Sequence, residues 1–230
     1  MIWNVTAFEQ GCISLTKALE SINSLDLQWT LEEANVNGHC VIYLFQRRTA
    51  CFAETMSAPQ IVDRHDNHDI EVDDEIYVDP DTAVVVETAE RSGALAMDWQ
   101  WHLSVVYNET WQSPVLYFHV QDERGEPCPR SRIVKLLSNL HHQNQVSDSW
   151  DFVSQEEHPV TRVPSFFLHP CRSNERLGHL TATEGSHNAA ISLLQWMSIT
   201  LPAIGLALSS SDFVKLSTIL RDTEYSKKAW

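Results

Sequence analysis

A run of predicted β-strands in the first 120 residues limits the fold of this chain more than any other feature. Apolar and polar residues alternate strictly over residues 25–31, which predicts a half-buried strand. β-Branched and aromatic runs predict further strands at residues 39–45, 49–55, 97–107 and 114–120. The segments 46–48 and 108–113 are predicted as hairpin connections. Four or five strands in this order predict an antiparallel meander.

Segments with the residue spacing of an amphipathic helix lie on both sides of these strands in the sequence. Apolar residues near the N-terminus recur at steps of four, three, four and three, at Phe8, Cys12, Leu15, Leu19 and Ile22. Asn4 or Thr6 is the predicted cap, and a single lysine on the polar face disfavours membrane binding. Further helices are predicted at residues 133–140, 188–199 and 212–220, the last capped by Ser211 or Asp212. This order of elements predicts an α+β fold, which at 230 residues we expect to be a single domain.

The charge balance excludes several functions. Sixteen Lys and Arg residues against 31 Asp and Glu residues give a net charge of −15, which disfavours binding to nucleic acid or to an anionic membrane. Neither a G-x-G-x-x-G nor a G-x-x-x-x-G-K motif occurs, so a nucleotide-phosphate loop is not expected. The longest apolar stretch, residues 196–208, is broken by Pro202 and Gly205 and is too short for a bilayer, so no stable membrane insertion is expected.

An acidic segment interrupts the predicted strands. Residues 57–82 hold nine acidic residues and one basic residue, Arg64. Because such a segment cannot bury itself, it is predicted to be a mobile surface loop. His65 and His68 lie within it, but the spacing matches no metal-binding template.

The five cysteines point to a reducing compartment. They are Cys12, Cys40, Cys51, Cys128 and Cys171. Their number is odd and their spacing fits no zinc template, so free thiols and a cytoplasmic location are expected; the N-terminus has no signal-peptide pattern. The first three lie in apolar patterns and are predicted to be buried, while Cys128 lies between two prolines in a loop.

Cys171 has a different setting. Pro159, Pro164 and Pro170 fall within twelve positions, and residues 150–175 are therefore predicted to be irregular and extended. The segment ends in His169-Pro170-Cys171. The adjacent Arg172 favours the thiolate, which is the nucleophilic form of cysteine. Cys171 is thus the candidate nucleophile.

Spacing alone leaves other chemistry open. A cysteine protease would pair the thiol with a histidine base, and the histidines near it in sequence are His158, His169, His179 and His187. A zinc site from His169, Cys171, His179 and His187 is disfavoured, because one thiol with three spread histidines matches no structural zinc set.

Several blocks together carry a family resemblance. They are residues 86–89, Trp101-His102 with Tyr107, residues 113–118, Trp150-Asp151, residues 155–159, residues 166–171, residues 196–199, Pro202 and Gly205-Leu206. Between about residues 29 and 208 the chain resembles the autophagy-related protein ten family, the E2-like ubiquitin-like-conjugating enzymes of autophagy. The most specific part is Glu-His-Pro at 157–159 followed by Phe-Leu-His-Pro-Cys at 167–171.

The resemblance implies a fold and a reaction. The fold would be an E2-like (UBC-type) α+β core, with an antiparallel sheet flanked by N-terminal and C-terminal helices. Cys171 would receive the ubiquitin-like autophagy protein twelve as a thioester from the E1-like autophagy protein seven. The modifier would then pass to a lysine of autophagy protein five. Neither a cofactor nor a metal is expected, because the E1 consumes the ATP.

One departure and two alternatives stay open. Ubiquitin E2 enzymes place an oxyanion-binding asparagine in a His-Pro-Asn element, whereas this chain has His158-Pro159-Val160. Candidates to replace it are Tyr107, Tyr117, His158 and Asn174. A lipid-conjugating relative, which modifies phosphatidylethanolamine, is disfavoured by the short acidic insertion. A non-catalytic E2-like interaction module is disfavoured by Cys171 in its motif.

Overall fold

A computed structural model describes residues 3–22, 28–52, 97–143, 153–170 and 188–228, without the side chains of 50–52, 97, 138–143 and 224–228. The chain divides into two compact units, residues 1–50 with 98–230, and residues 51–97. Several predictions lie outside the described residues. They are the acidic loop at 57–82, the side chain of Cys51, and Cys171, Arg172, Asn174, His179 and His187.

The described strands form an open antiparallel sheet of six strands. They are β1 (Thr30–Val36), β2 (His39–Phe52), β3 (Met97–Asn108), β4 (Ser113–Gln121), β5 (Val153–Glu157) and β6 (Pro164–Leu168). Their spatial order is β1-β2-β3-β4-β6-β5. The last two strands depart from a plain meander, since the chain first forms edge strand β5 and then returns as β6 beside β4.

The two faces of the sheet carry different residues. On β3 and β4 the paired Leu103 and Phe118 belong to one face, and on the same face Tyr107 packs on Phe8 of the first helix. The opposite face carries a smaller cluster of Val106, Val115, Tyr117 and Phe167, against which Val41, Tyr43 and Val160 pack. Because side chains alternate between the two faces of a strand, one face of the sheet packs against the first helix. The opposite face packs against the turn between β5 and β6, which contains Val160.

Four α-helices occur among the described residues. They are α1 (Val5–Ser21), α2 (Arg130–Gln143), α3 (Ala189–Thr200) and α4 (Ser210–Lys228), and a 3-10 turn at Leu201–Ile204 follows α3. A Cβ on Gly11 of α1 would lie 3.1 Å from the carbonyl oxygen of Ala189, so the close approach of α1 to α3 depends on glycine. The architecture confirms the predicted α+β, E2-like fold.

The helix caps show where the local sequence was sufficient to predict the start of a helix. Asn4 Oδ1 accepts the N–H of Ala7 at 2.8 Å, as predicted, and Asn188 Oδ1 accepts the N–H of Ala190 at 2.9 Å. At α4 the prediction was wrong. Ser209 Oγ accepts the N–H of Asp212 at 3.0 Å, so Ser209 is the cap and Asp212 lies in the first turn. A carboxylate there is favoured by the helix dipole.

The first hairpin differs from the prediction. Strand β2 is continuous through residues 46–48, and the turn lies instead at Asn37–Gly38, where φ is +53° and +86°. Asn-Gly suits a two-residue hairpin turn because both residues tolerate positive φ. Three polar residues do not end a strand unless one of them imposes turn geometry. The first strand accordingly runs from Thr30 to Val36, later than predicted.

The proline-rich segment was wrongly predicted to be irregular. Strands β5 and β6 form an antiparallel hairpin in which Val153 pairs with Leu168 and Glu157 with Pro164. Proline cannot donate to a strand ladder, but it is tolerated at strand ends. Pro159 lies in the turn, Pro164 begins β6, and Pro170 follows its end. The three prolines therefore mark the boundaries of the strands.

Candidate active site

The end of β6 positions the segment that leads to Cys171. Strand β6 is paired on both sides, with β4 through Tyr117 and Phe167 and with β5 through Val153 and Leu168. His169 and Pro170 follow directly, and Pro170 is buried. Cys171, the predicted nucleophile, is the next residue in the chain and lies outside the described residues.

His169 packs against the turn between β3 and β4. The ring of Trp111, three residues after Asn108, meets the His169 ring nearly edge-on, with centroids 4.4 Å apart and planes at 71°. Edge-to-face contacts of this kind are favoured by the charge distribution of aromatic rings. The residue two positions before Cys171 is thus in contact with a neighbouring hairpin.

Asn108 organises this turn from its first position. Its Oδ1 accepts the N–H of Trp111 at 3.2 Å, and its Nδ2 donates to the Tyr117 hydroxyl at 3.3 Å. Tyr117 in turn donates to Glu156 Oε1 at 2.7 Å. Asn108 was missing from the sequence-based candidates. The signal was present, because asparagine at the start of a short connection often accepts a backbone N–H two or three residues on.

Tyr117 is held as a neutral donor. Burial raises the pKa of its hydroxyl, and the hydrogen bond to Glu156 raises the pKa further. Its proton is committed to Glu156, on the neighbouring hairpin. Tyr107, another oxyanion candidate, lies on the helix-covered face and packs on Phe8, so the structure does not bring the two tyrosines together.

His158 is fixed in one tautomer by its partners. The backbone N–H groups of Val160 and Thr161 both lie 3.1 Å from Nδ1, and since these groups only donate, Nδ1 must accept. The proton is therefore on Nε2, which donates to the buried Ser104 hydroxyl at 2.6 Å. Burial lowers the pKa of His158 to about 4. Its ring also packs edge-on to Tyr117, with centroids 5.0 Å apart.

These contacts change the role expected for His158. Both ring nitrogens are engaged within the protein, and the low pKa keeps the imidazole neutral. A base for a cysteine protease needs a nitrogen free to take the thiol proton. His158 is not placed to do so, and its bonds instead hold the turn of residues 158–163 against the sheet.

A cavity of about 290 Å³ opens on the same face of the sheet. It is lined by Tyr43, Phe45, His102, Ser104, Phe118, His119, Gln121, His158, Thr161, Val163 and Ser165. Burial, Arg47 and His119 all lower the pKa of His102, while His119 Nδ1 donates to the Pro164 carbonyl at 3.2 Å. Within the described part of the chain, no three His, Cys, Asp or Glu side chains are grouped to hold a metal ion.

The three cysteines with described side chains are free thiols in different settings. Cys12 is buried, as predicted, and burial together with Glu9 raises its pKa. Cys128 is buried too, and burial raises its pKa to about 11 against the opposing effect of Arg132. Cys40 was wrongly predicted to be buried, since it is exposed beside the Asn37–Gly38 turn. A raised pKa lowers the thiolate fraction, so Cys12 and Cys128 are poor nucleophiles.

None of the helices within the described ranges is long and apolar enough to cross a bilayer.

The six-stranded antiparallel sheet and its helices place the molecule in the class of E2-like α+β proteins. Residues 7–211 match the family model described as "Autophagocytosis associated protein, active-site domain", and the chain belongs to this family. This result confirms the resemblance inferred from the sequence blocks.

Curated relatives carry the name "Ubiquitin-like-conjugating enzyme ATG10". The protein from Homo sapiens is 30% identical over 132 residues, which cover 57% of this chain and 58% of the relative. The protein from Arabidopsis thaliana is 29% identical over 132 residues, which cover 56% of each. The protein from Dictyostelium discoideum is 26% identical over 116 residues, or 45% of this chain and 50% of the relative. The chain spans about half the length of the curated relatives it matches.

Proposed function

We propose that this protein is an E2-like enzyme that carries a ubiquitin-like modifier as a thioester on Cys171. The modifier is the ubiquitin-like autophagy protein twelve, delivered by the E1-like autophagy protein seven. The acceptor is a lysine of autophagy protein five, and the protein acts in the cytoplasm. The observation that carries this proposal is the family match over residues 7–211, which includes the His169-Pro170-Cys171 motif.

The geometry around the end of β6 supports the choice of nucleophile. His169 lies against Trp111, and the buried Pro170 leads directly to Cys171. Cys12 and Cys128, by contrast, are buried with raised pKa values. Arg172 follows Cys171 in the sequence, and a neighbouring cation favours the thiolate.

The reaction takes two balanced steps. In the first, the Cys171 thiolate attacks the thioester carbonyl between the modifier and the E1, and the thiolate of the E1 leaves. One thioester replaces another, so this exchange is close to isoenergetic. In the second, the uncharged amine of the acceptor lysine attacks the new thioester, loses a proton, and forms an amide as the Cys171 thiolate leaves. Both steps pass through an oxyanion that needs a hydrogen-bond donor.

The net charge of −15 favours partners with basic surfaces. It also supports a protein acceptor over an anionic membrane. Because the insertion at residues 57–82 is short and acidic, incubation of the thioester-loaded enzyme with vesicles containing phosphatidylethanolamine should yield no lipid adduct. A lipidated modifier would move the assignment to the lipid-conjugating branch of the family.

A charging assay tests the proposal. Purified protein, the E1, ATP and the modifier should give an adduct that reductant cleaves, and Cys171→Ala should abolish it. Cys171→Ser should give at most an oxyester that resists reductant and transfers slowly, because a hydroxyl is a far weaker nucleophile than a thiol of pKa about 8.5.

The other cysteines provide matched controls. Cys40→Ser removes an exposed thiol and should leave charging unchanged. Cys12→Ala and Cys128→Ala remove buried thiols and should cost about 1–2 kcal/mol of stability without loss of the adduct. An adduct that survives Cys171→Ala, or that is lost in Cys128→Ala while the fold is intact, contradicts the assignment.

A further inference from the structure

Trp111 is both exposed to solvent and in contact with the segment that leads to Cys171. Its side chain is 40% exposed, so it contributes little to the core. Its ring is nevertheless in close edge-to-face contact with His169, at 4.4 Å between centroids. A role for this tryptophan other than stabilising the core therefore has to be sought at the proposed active-site motif.

A hydrogen bond within the β3–β4 turn fixes the backbone of Trp111. The N–H of Trp111 is bound by Asn108 Oδ1, and Asn108 Nδ2 is bound to Tyr117, which donates to Glu156. These bonds connect the β3–β4 turn to strands β4 and β5. The indole is thus presented to His169 from a part of the protein that is tied to the sheet.

The position of His169 restricts the position of the residues that follow it, because they are covalently linked. Only Pro170 separates His169 from Cys171 in the chain. Pro170 between them has its φ angle locked near −65°, and its side chain is buried. A displacement of His169 would therefore also shift Pro170, to which Cys171 is bonded.

We propose that Trp111 is a positioning residue for Cys171, acting through His169. This inference rests on the proposed function. It predicts that the aromatic contact contributes to the rate of thioester formation while contributing little to folding. An edge-to-face pair contributes about 0.5–1.5 kcal/mol beyond burial, which corresponds to about a two- to tenfold change in rate if it acts on the reaction.

A double-mutant cycle tests this with the full chain. The single-turnover rate of thioester formation is measured in Trp111→Ala, His169→Ala and the double variant. Each single variant should be about two- to tenfold slower than wild type. The double variant should be no slower than His169→Ala, because Trp111 acts through His169. Trp111→Phe keeps an aromatic ring and should stay within about twofold of wild type.

Two controls separate positioning from folding. Val214→Ala, at a 62% exposed position on α4, should react like wild type. Thermal melting should show that each variant keeps a cooperative transition. If Trp111→Ala fails to fold, Trp111→Leu replaces it in the cycle, since leucine keeps apolar bulk and removes the ring contact.

The outcomes distinguish this inference from the proposed function. A Trp111→Ala protein as fast as wild type, or rate losses that multiply in the double variant, overturns the positioning role. If the wild-type protein forms no thioester, the proposed function fails. The double-mutant cycle is then measured with the rate of alkylation by iodoacetamide in place of the rate of thioester formation. The rate at Cys171 relative to the exposed Cys40 should then change non-additively across the cycle. A ratio identical in all four proteins overturns the inference.

Discussion

His158 should make the stability of this protein depend on pH, and replacement by asparagine should remove that dependence. In the folded protein the pKa of His158 is lowered to about 4, mainly by burial, whereas an unfolded histidine has a pKa of about 6.5. Between these values the unfolded chain binds more protons than the folded one. Stability therefore falls as the pH falls from about 6.5 towards 4.

The size of the effect follows from the two pKa values. At pH 7.5 the imidazole is neutral in both the folded and the unfolded state, so its titration does not lower the free energy of unfolding. At pH 5.5 the unfolded imidazole is about 90% protonated and the folded one is almost entirely neutral. Linkage then gives a loss of roughly 1.5 kcal/mol on going from pH 7.5 to 5.5. This range stays above the isoelectric point of about 5.0, where the protein would tend to associate.

Asparagine is the informative replacement. Its Oδ1 is able to accept the N–H groups of Val160 and Thr161 in place of Nδ1, so the turn is retained. The bond to Ser104 is lost and leaves a buried hydroxyl unpaired, which costs about 1–3 kcal/mol at pH 7.5. The stability gap between wild type and His158→Asn should shrink by about 1.5 kcal/mol at pH 5.5.

Urea unfolding followed by tryptophan fluorescence, at constant ionic strength and at several pH values between 7.5 and 5.5, measures this gap. Ser104→Ala is the matched control. It removes the hydroxyl but leaves a buried, ionisable His158, so its stability should still fall with pH as in wild type. A His158→Asn protein with the same pH dependence as wild type would refute the argument.

Two further predictions concern the first hairpin and the acidic segment. Gly38→Ala should lower the free energy of unfolding by about 1 kcal/mol in urea titrations. Gly38 has φ +86° and no atom of the described residues within 4 Å of its Cβ position, so the cost is one of backbone conformation; an unchanged midpoint would contradict this. Deletion of residues 60–81 should leave both cooperative melting and thioester formation intact, because a segment so acidic cannot be part of the core. Loss of the melting transition in the deleted protein would show that the segment is structural.

The elements that were predicted correctly rest on local signals. In α1 the apolar period of 3.6 and the side chain of Asn4 are both properties of a short stretch of chain, and they act in the same direction. The strands at 97–108 and 113–121 likewise follow from alternation and β-branched composition. The Asn37–Gly38 turn is an equally local signal, because both residues tolerate positive φ, whereas the polar residues at 46–48 impose no turn geometry.

The elements that were missed depend on neighbours distant in sequence. Strand β6 lies between β4 and β5, and pairing on both sides outweighs the prolines at its ends. The apolar pattern around Cys40 predicts burial, but its position beside the β1–β2 turn leaves it exposed. Burial is a property of the assembled sheet, and alternation along one strand does not report which face is covered.

The sequence alone determined the class of fold, the family resemblance and the choice of Cys171, because these depend on periodicity, composition and residues adjacent in the chain. Only the tertiary structure decided what surrounds the motif. The N–H groups of Val160 and Thr161 set the tautomer of His158, but the acceptor for its Nε2–H is Ser104, 54 positions away. The contact of Trp111 with His169 joins two hairpins that are far apart in sequence. Hydrogen bonds and ring contacts act over a few ångströms, so only folding, which brings these residues together, determines their chemistry.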